Sequence, residues 1–244
     1  MNIFKAARFS ILFGDPKTSP FTGSEFHSLI EDNKVILQHK IDAKTPFIQE
    51  SLDINNLLFL RQVHGIDGAI INPNNKLESL LQDGDYIITN TTNLGIGVLT
   101  ADCLPIVFYD HSNNIAAIAH AGWPGSFAGI STKVICEMQT KFNSHINDIL
   151  IFFGPSAKVC CYEVQKDFIT KLDTKIKEQT IIEHDAKTFF NLPLYNVLML
   201  EKIGINKRNI NFDYNFCTIC SLQYCSYRRD KELAGRQMTI ISLH

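Results

Sequence analysis

Short apolar runs separated by polar turns dominate this chain and predict more strands than helices. Apolar runs of strand length lie at 7–13, 55–63, 67–71, 86–89, 95–99, 105–109, 115–119, 148–153 and 238–243. The runs 106–109 and 115–119 flank the polar segment 110–114. This pattern predicts a β-hairpin in the middle of the chain.

Apolar residues at helical spacing predict helices over 24–41, 126–143, 167–172 and 192–203. Pro193 suits the first turn of the last helix, and Gly204 suits its end. Because hairpins alternate with longer connections, we expect an α+β fold with a mixed β-sheet core flanked by helices. No stretch has the composition of a linker, so residues 1–244 are expected to form a single domain.

Composition argues against several classes of function. The 244 residues are 45% hydrophobic, enough for a large core, and the net charge of −2 offers no electrostatic basis for binding nucleic acid or an anionic membrane. No run approaches the roughly 18 apolar residues of a membrane span. The first residues lack the apolar core of a signal peptide, so the seven cysteines are expected to be reduced thiols of a cytoplasmic protein.

Three side chains with metal-binding chemistry stand at the ends of predicted strands. His64 follows the run 55–63, Cys103 precedes the strand that starts near Pro105, and His120 ends the run after 115. Two imidazoles and one thiolate supply three ligands and leave a fourth position open, as a catalytic zinc ion requires. Taken singly, a turn histidine, a buried structural thiol and a core histidine bonded to a carbonyl remain open alternatives.

Two other clusters late in the chain carry candidate chemistry. Cys217 and Cys220 form a CxxC motif that, with Cys225, is a rival metal cluster, whereas the pair Cys160-Cys161 is interpreted as packing. The adjacent Arg228 and Arg229 suit a bidentate grip on phosphate or carboxylate, or else form a solvated turn. Arg236 adds a third positive charge, and Trp123 is a candidate wall for a flat base.

Taken together, the motifs resemble the YfiH/YlmD-type laccase-domain proteins, a family that includes purine nucleoside phosphorylases and the peptidoglycan editing factor. The matching segments are Gln62-Val63-His64-Gly65, Asp85-Tyr86-Ile87-Ile88-Thr89, Ala101-Asp102-Cys103-Leu104-Pro105, His120-Ala121-Gly122-Trp123, Gly154-Pro155-Ser156, Tyr162-Glu163-Val164, Cys217-Thr218, Ser226-Tyr227-Arg228-Arg229-Asp230 and Gly235-Arg236. The chain departs from the family pattern at Pro124, where an arginine is usual, and matches it poorly over 9–24.

The resemblance implies one domain with the architecture shared by cytotoxic necrotizing factor and YfiH. It also implies one zinc ion on His64, Cys103 and His120. The implied activities are phosphorolysis of adenosine, inosine, guanosine and methylthioadenosine, a transferase reaction, and hydrolytic deamination of adenosine. Purine nucleosides and phosphate are therefore the expected partners. Copper is the less expected ion, because the chain has eight histidines and no two of them are separated by a single residue, as paired laccase ligands are.

Further roles are assigned to residues beside the expected ligands. Asp102 adjoins Cys103 and is a candidate for proton transfer, or alternatively for orienting a ligand histidine. Gln62, Arg228 and Arg229 are the expected substrate contacts. Two alternatives remain open: a metal-free cysteine hydrolase acting on a peptidoglycan precursor, with Cys103 as nucleophile and His120 as base, and an editing or binding protein without activity.

Overall fold

Two mixed β-sheets stack face to face in the structure, a computed structural model that describes residues 1–19, 46–73 and 82–244. One sheet has the strand order β1-β2-β14-β6-β3 and the other β13-β9-β7-β8-β5-β4, and a smaller sheet has the order β10-β12-β11. The strands are β1 (Asn2–Lys5), β2 (Phe9–Phe13), β3 (Asn56–Leu58), β4 (Gly68–Ile71), β5 (Tyr86–Thr89), β6 (Leu94–Thr100), β7 (Leu104–Asp110), β8 (Ile115–Ala121), β9 (Ile149–Phe153), β10 (Glu163–Val164), β11 (Ile181–His184), β12 (Lys187–Phe190), β13 (Ile210–Asn211) and β14 (Gln237–Leu243).

Helices cover the outer faces of the two large sheets. They are α1 (Trp123–Ala128), α2 (Ile130–Phe142), α3 (Lys166–Ile169), α4 (Thr174–Thr180), α5 (Leu192–Lys202) and α6 (Tyr227–Asp230), with 3-10 turns at Ile146–Asp148, Lys207–Asn209 and Lys231–Leu233. Residues 46–52 are also helical. None of the helices in the described residues has the length and apolar character needed to cross a bilayer.

Three apolar layers hold these elements together. The layer between the two large sheets includes Val98, Val107 and Ile241. A second layer packs α2 and α5 against the other face of the six-stranded sheet, and a third packs Ile48 and Leu52 of the segment 46–52 against the five-stranded sheet. Both faces of the central strands are therefore buried, which explains why their sequences are continuously apolar rather than alternating.

The predicted α+β class with mixed β-sheets and flanking helices is confirmed. The hairpin is also confirmed: β7 and β8 pair antiparallel, with Pro105 opposite His120. The helix predicted over 126–143 is two helices, because Gly129 adopts φ +91° between them. The strand predicted over 55–63 ends at Leu58. The helix predicted over 24–41 lies outside the described residues.

Candidate metal centre and substrate cavity

Three chain segments meet at one end of the β7–β8 hairpin. Cys103 immediately precedes β7 and His120 lies at the end of β8, so the antiparallel pairing brings them to the same edge. His64 comes from the loop before β4, with its Nε2 atom 3.8 Å from the Cys103 sulfur. One ligand atom from each of these three residues lies within 4.8 Å of the others, which is the convergence that the metal prediction required.

The buried carboxylate of Asp85, just before β5, organises this centre. It accepts hydrogen bonds from the backbone N–H groups of Val63 (3.2 Å), His64 (3.0 Å) and Gly65 (2.7 Å). These three bonds hold the loop in a conformation that places His64 at φ +61°, a region that non-glycine residues seldom adopt. The His64 loop therefore takes its shape from Asp85.

Asp85 also holds the second histidine. Its Oδ1 atom lies 2.7 Å from Nδ1 of His120, and its carbonyl accepts the His120 backbone N–H at 2.7 Å. When Nδ1 is engaged in this way, Nε2 of His120 is the nitrogen left for the centre. A carboxylate behind a ligand histidine is a common feature of metal sites. Asp85 thus fills the orienting role that the sequence analysis offered to Asp102 as an alternative.

The absence of a side chain at Gly122 lets the three groups approach. A Cβ atom there would lie 2.9 Å from the His64 ring and 3.0 Å from the Cys103 sulfur. Real Cβ atoms essentially never come as close as the His64 contact, and the Cys103 contact would be tighter than most. Gly122, two residues after His120, is therefore a requirement of the centre.

The charges of the centre are strongly coupled. Burial by itself would raise the pKa of the Cys103 thiol, but the His120 imidazolium and the hydrogen bonds from both histidines outweigh it and lower that pKa from 9.0 to about 6. Burial would likewise lower the pKa of His120, whereas the Cys103 thiolate and Asp85 raise it from 6.5 to about 9. Cys103 is thus ready to ligate as a thiolate.

The donor set of the centre fits a zinc ion. One thiolate and two imidazoles are ligands of the kind that zinc binds, and three protein ligands leave room for a fourth. Because these ligands bind a metal in their deprotonated forms, metal binding at the centre would release protons. His64, Cys103 and His120 are the residues that would hold it.

The centre opens into a cavity of about 400 Å³. The cavity is mostly apolar, with positive and aromatic groups around its rim, a combination typical of small-molecule sites. Its lining residues are Leu60, Arg61, Gln62, His64, Leu99, Ala101, Asp102, Cys103, His120, Tyr162, Tyr227, Arg228 and Arg236.

Asp102 and Gln62 line this cavity, and each is engaged by the protein. The Asp102 carboxylate accepts hydrogen bonds from Thr218 Oγ1 and from the Arg228 backbone N–H, both at 2.6 Å. The Gln62 amide pairs with the backbone of Leu99, donating at 2.8 Å and accepting at 2.7 Å. Asp102 thereby links the segment before β7 to the segment around α6.

Arg229 and Trp123 do not reach the cavity. The Arg229 guanidinium donates to the Asp230 carboxylate and to four backbone carbonyls, those of Thr218, Ile219, Ser221 and Tyr224. It therefore folds the loop before α6 instead of facing a ligand. Trp123 packs against Phe127 and Phe168 in the helix-side core, the apolar layer between the six-stranded sheet and helices α2 and α5. In contrast to the predictions from sequence, neither the Arg229 guanidinium nor the Trp123 ring lines the cavity.

The arginines that line the cavity are Arg61, Arg228 and Arg236. Arg228 donates to the Glu163 carbonyl at 2.8 Å and lies 5.4 Å from the Tyr162 ring centre, which fixes its guanidinium over an aromatic face. Arg236 donates to the carbonyls of Ala234 and Gly235. Sequence reasoning noted Arg236 only as a nearby charge, since no local pattern shows that β14 begins beside the cavity.

This fold and this histidine–cysteine centre define a class of metal-associated laccase-domain proteins, and comparison with known proteins agrees. The model of the family described as multi-copper polyphenol oxidoreductase laccase matches residues 18–244, so the chain belongs to that family. A purine nucleoside phosphorylase of Clostridium acetobutylicum is 33% identical over 245 residues, 99% of each chain. An adenosine deaminase from an unknown prokaryotic organism is 29% identical over 212 residues, covering 82% of this chain and 80% of the relative.

The fold is also that of solved structures. The YfiH protein of Bacillus licheniformis superposes with a TM-score of 0.78 at 24% sequence identity, covering 97% of this chain and 91% of that one. YlmD from Geobacillus stearothermophilus gives a TM-score of 0.77 at 22% identity, covering 97% of this chain and 90% of that one. The resemblance inferred from the sequence motifs is therefore confirmed.

Proposed function

We propose that this protein is a zinc-dependent purine nucleoside phosphorylase that also deaminates adenosine. The observation that carries the proposal is the His64, Cys103 and His120 centre at the wall of a cavity that also presents guanidinium groups. Relatives named for both activities support it. All seven cysteines are free thiols, which suits the reducing cytoplasm where we place the protein.

The cavity presents flat, apolar and positive groups that suit the parts of a nucleoside and phosphate. Tyr162 and Tyr227 supply flat faces for a purine, beside the apolar side chains of Leu60 and Leu99. The guanidinium groups of Arg228 and Arg236 suit the negative charges of phosphate. Bound zinc would act as a Lewis acid toward a phosphate or water oxygen.

In phosphorolysis, an oxygen of phosphate forms a bond to the anomeric carbon of ribose, and the bond from that carbon to the purine nitrogen breaks. The products are ribose 1-phosphate and a purine that takes up a proton. The positive groups of the cavity would hold phosphate against the sugar, and this positioning lowers the barrier. Asp102, which lines the cavity beside Cys103, is our candidate for the proton transfer.

Incubation with adenosine, with and without phosphate, tests the proposal when the products are separated by chromatography. We expect adenine and ribose 1-phosphate with phosphate, and inosine without it. Chelation should abolish both reactions and zinc should restore them. Cys103→Ala and His120→Ala should each lose turnover and zinc, whereas Cys136→Ala, at an exposed cysteine on α2, should keep both. Full turnover in either ligand variant contradicts the assignment.

One observation also supports a metal-free cysteine hydrolase. The Cys103 thiol lies 3.8 Å from His64 Nε2, and its pKa of about 6 makes it a thiolate at neutral pH, which is what a cysteine nucleophile needs. The second candidate therefore predicts activity on a peptidoglycan precursor that survives chelation and is lost on alkylation of Cys103. Loss of activity on chelation, with recovery on adding zinc, rejects it.

A further inference from the structure

A second group of sulfur atoms lies apart from the histidine–cysteine centre. It joins two segments far apart in sequence: the turn after β9 and the loop before α6. Its members, called the four-cysteine cluster below, are Cys160, Cys161, Cys217 and Cys220, and their sulfurs all lie within 4.8 Å of one another. The group joins Cys160-Cys161, for which packing was the interpretation from sequence, to the CxxC motif, and Cys225 is not part of it.

The backbone around the cluster is built to bring these sulfurs together. Ser156 and Cys217 form a parallel bridge, in which the Ser156 N–H donates to the Phe216 carbonyl and the Thr218 N–H donates to the Ser156 carbonyl, both at 3.0 Å. Lys158 Nζ adds a bond of 2.9 Å to the Asn215 carbonyl. The two cysteine pairs are thus held side by side by bonds that do not involve the sulfurs.

Backbone donors also point at one of the sulfurs. The backbone N–H groups of Cys220, Lys158 and Ile219 lie near the Cys217 sulfur and favour its thiolate form. Donors converging on a buried sulfur stabilise its thiolate form and are a common support of metal-bound cysteines. A CxxC turn whose first sulfur receives amide hydrogen bonds is suited to grasp a metal ion between its two thiolates.

The size of the cluster favours a single metal ion, such as zinc, over an iron–sulfur cluster. Four thiolates arranged tetrahedrally at the zinc–sulfur distance of about 2.3 Å have sulfur atoms roughly 3.8 Å apart. The four sulfurs of the cluster, which all lie within 4.8 Å of one another, fit that spacing. An iron–sulfur cluster needs space for several iron and sulfide atoms between its cysteines, so its ligands must be further apart. Four thiolates with no open position make a closed, structural site.

We propose that the four-cysteine cluster binds a second zinc ion that fastens the loop before α6 to the turn after β9. The fastened segments carry residues of the cavity. Cys161 precedes Tyr162, which lines the cavity, and Cys217 precedes Thr218, whose hydroxyl donates to Asp102. The ion therefore holds two walls of the cavity in place without contacting a ligand there.

Metal counting by native mass spectrometry on the full-length protein, purified with zinc present, tests this site. We expect the double variant Cys160→Ser/Cys220→Ser to carry one zinc ion fewer than the wild type. Cys136→Ser is the matched control, since Cys136 is an exposed cysteine on α2 outside the cluster, and it should keep the wild-type number. An unchanged zinc count in the double variant overturns the proposal.

Cobalt separates this site from the histidine–cysteine centre and does not depend on the double variant folding. In the triple variant His64→Ala/Cys103→Ala/His120→Ala, one equivalent of Co²⁺ should give the intense sulfur-to-cobalt charge-transfer absorption of a site with four thiolates. The same addition should protect four cysteines from alkylation. If the triple variant with reduced cysteines binds no cobalt, or binds it without that absorption, the second site is rejected. This holds whatever the nucleoside assays show.

Discussion

A single buried carboxylate supports two of the three ligand positions at the histidine–cysteine centre. Asp85 accepts three backbone N–H groups from the loop of His64 and the Nδ1 proton of His120. Burial alone would raise the pKa of Asp85, but its bonds to His120 and to the backbone outweigh burial and lower it. The Asp85 carboxylate stabilises the fold because all of its hydrogen-bond donors are in place. Without the carboxylate, these buried donors would have no acceptor, which is destabilising.

We therefore expect Asp85→Asn to disturb the histidine–cysteine centre strongly, although the two side chains are nearly the same size. The amide cannot accept all four hydrogen bonds as a carboxylate does, so His64 and His120 lose their fixed orientation. Loss of a group behind a metal ligand typically lowers metal affinity or activity by about 10- to 100-fold. Zinc affinity, measured by competition with a chromophoric chelator, should fall within that range alongside kcat.

The control for this variant is Asp185→Asn. Asp185 lies in the turn between β11 and β12 with its side chain 82% exposed, so removing its charge tests the substitution itself. The control should bind zinc as the wild type does. Equal zinc affinity in Asp85→Asn and the wild type would show that the carboxylate is not a support of the centre.

The three residues of the histidine–cysteine centre were predictable because each stands next to an apolar run. Asp85 was not, since an aspartate after a turn glycine is an ordinary feature of a polar loop. Its position became visible only when β5 was seen to pair with β8, which places Asp85 behind His120. Likewise, the adjacent arginines looked equivalent in sequence, yet only Arg228 reaches the cavity.

At the level of elements, local sequence patterns predicted individual strands and hairpins. The pairing of strands that are far apart in sequence could not be predicted. The β7–β8 hairpin follows from two apolar runs and the turn between them. The small sheet β10-β12-β11 was missed because its strands have two to four residues and expose much of their surface. No local pattern indicates that β14 pairs with both β2 and β6, which come from opposite parts of the chain.

The turn of the hairpin depends on Asp110, the last residue of β7. Its carboxylate accepts the backbone N–H groups of Ser112 (2.9 Å) and Asn113 (3.0 Å) and the Asn113 side-chain amide (2.9 Å). Burial would raise the pKa of Asp110, but the Ser144 side chain and the bonds from Asn113 and Ser112 outweigh it and lower that pKa below its ordinary 3.8. The charged form therefore stabilises the folded state.

This predicts a pH-dependent loss of stability in Asp110→Asn. Because the pKa is lower in the folded protein than in the unfolded chain, the stabilisation is complete above 3.8 and disappears as the pH falls through the folded value. The variant should lose about 1–2 kcal/mol at neutral pH, the difference between charged and neutral hydrogen bonds. Urea unfolding of variant and wild type at several pH values should show the gap closing in acid. A gap that is constant with pH contradicts the assignment to charge.

For the whole molecule, the final strand β14 is the element on which the layers depend. It lies between β2 and β6 in the five-stranded sheet, and its residues alternate between two cores. Ile241 faces the layer between the sheets, whereas Ile240 faces the layer on the side of residues 46–52. A central strand with residues in two cores contributes to the packing of both layers.

We therefore expect Ile241→Ala to destabilise the whole molecule rather than one edge. Deleting a fully buried isoleucine side chain costs about 2–5 kcal/mol. Ile182→Ala is the control, since Ile182 is 51% exposed on β11, and surface substitutions usually change the free energy of unfolding by no more than about 0.5 kcal/mol.

Urea unfolding should be followed by circular dichroism, which reports the sheets, and by fluorescence of Trp123, which lies in the helix-side core. Both transitions should shift together, because loss of packing between the sheets lowers the stability of every layer in a cooperative fold. A shift in circular dichroism with unchanged Trp123 fluorescence would mean that the layers unfold independently.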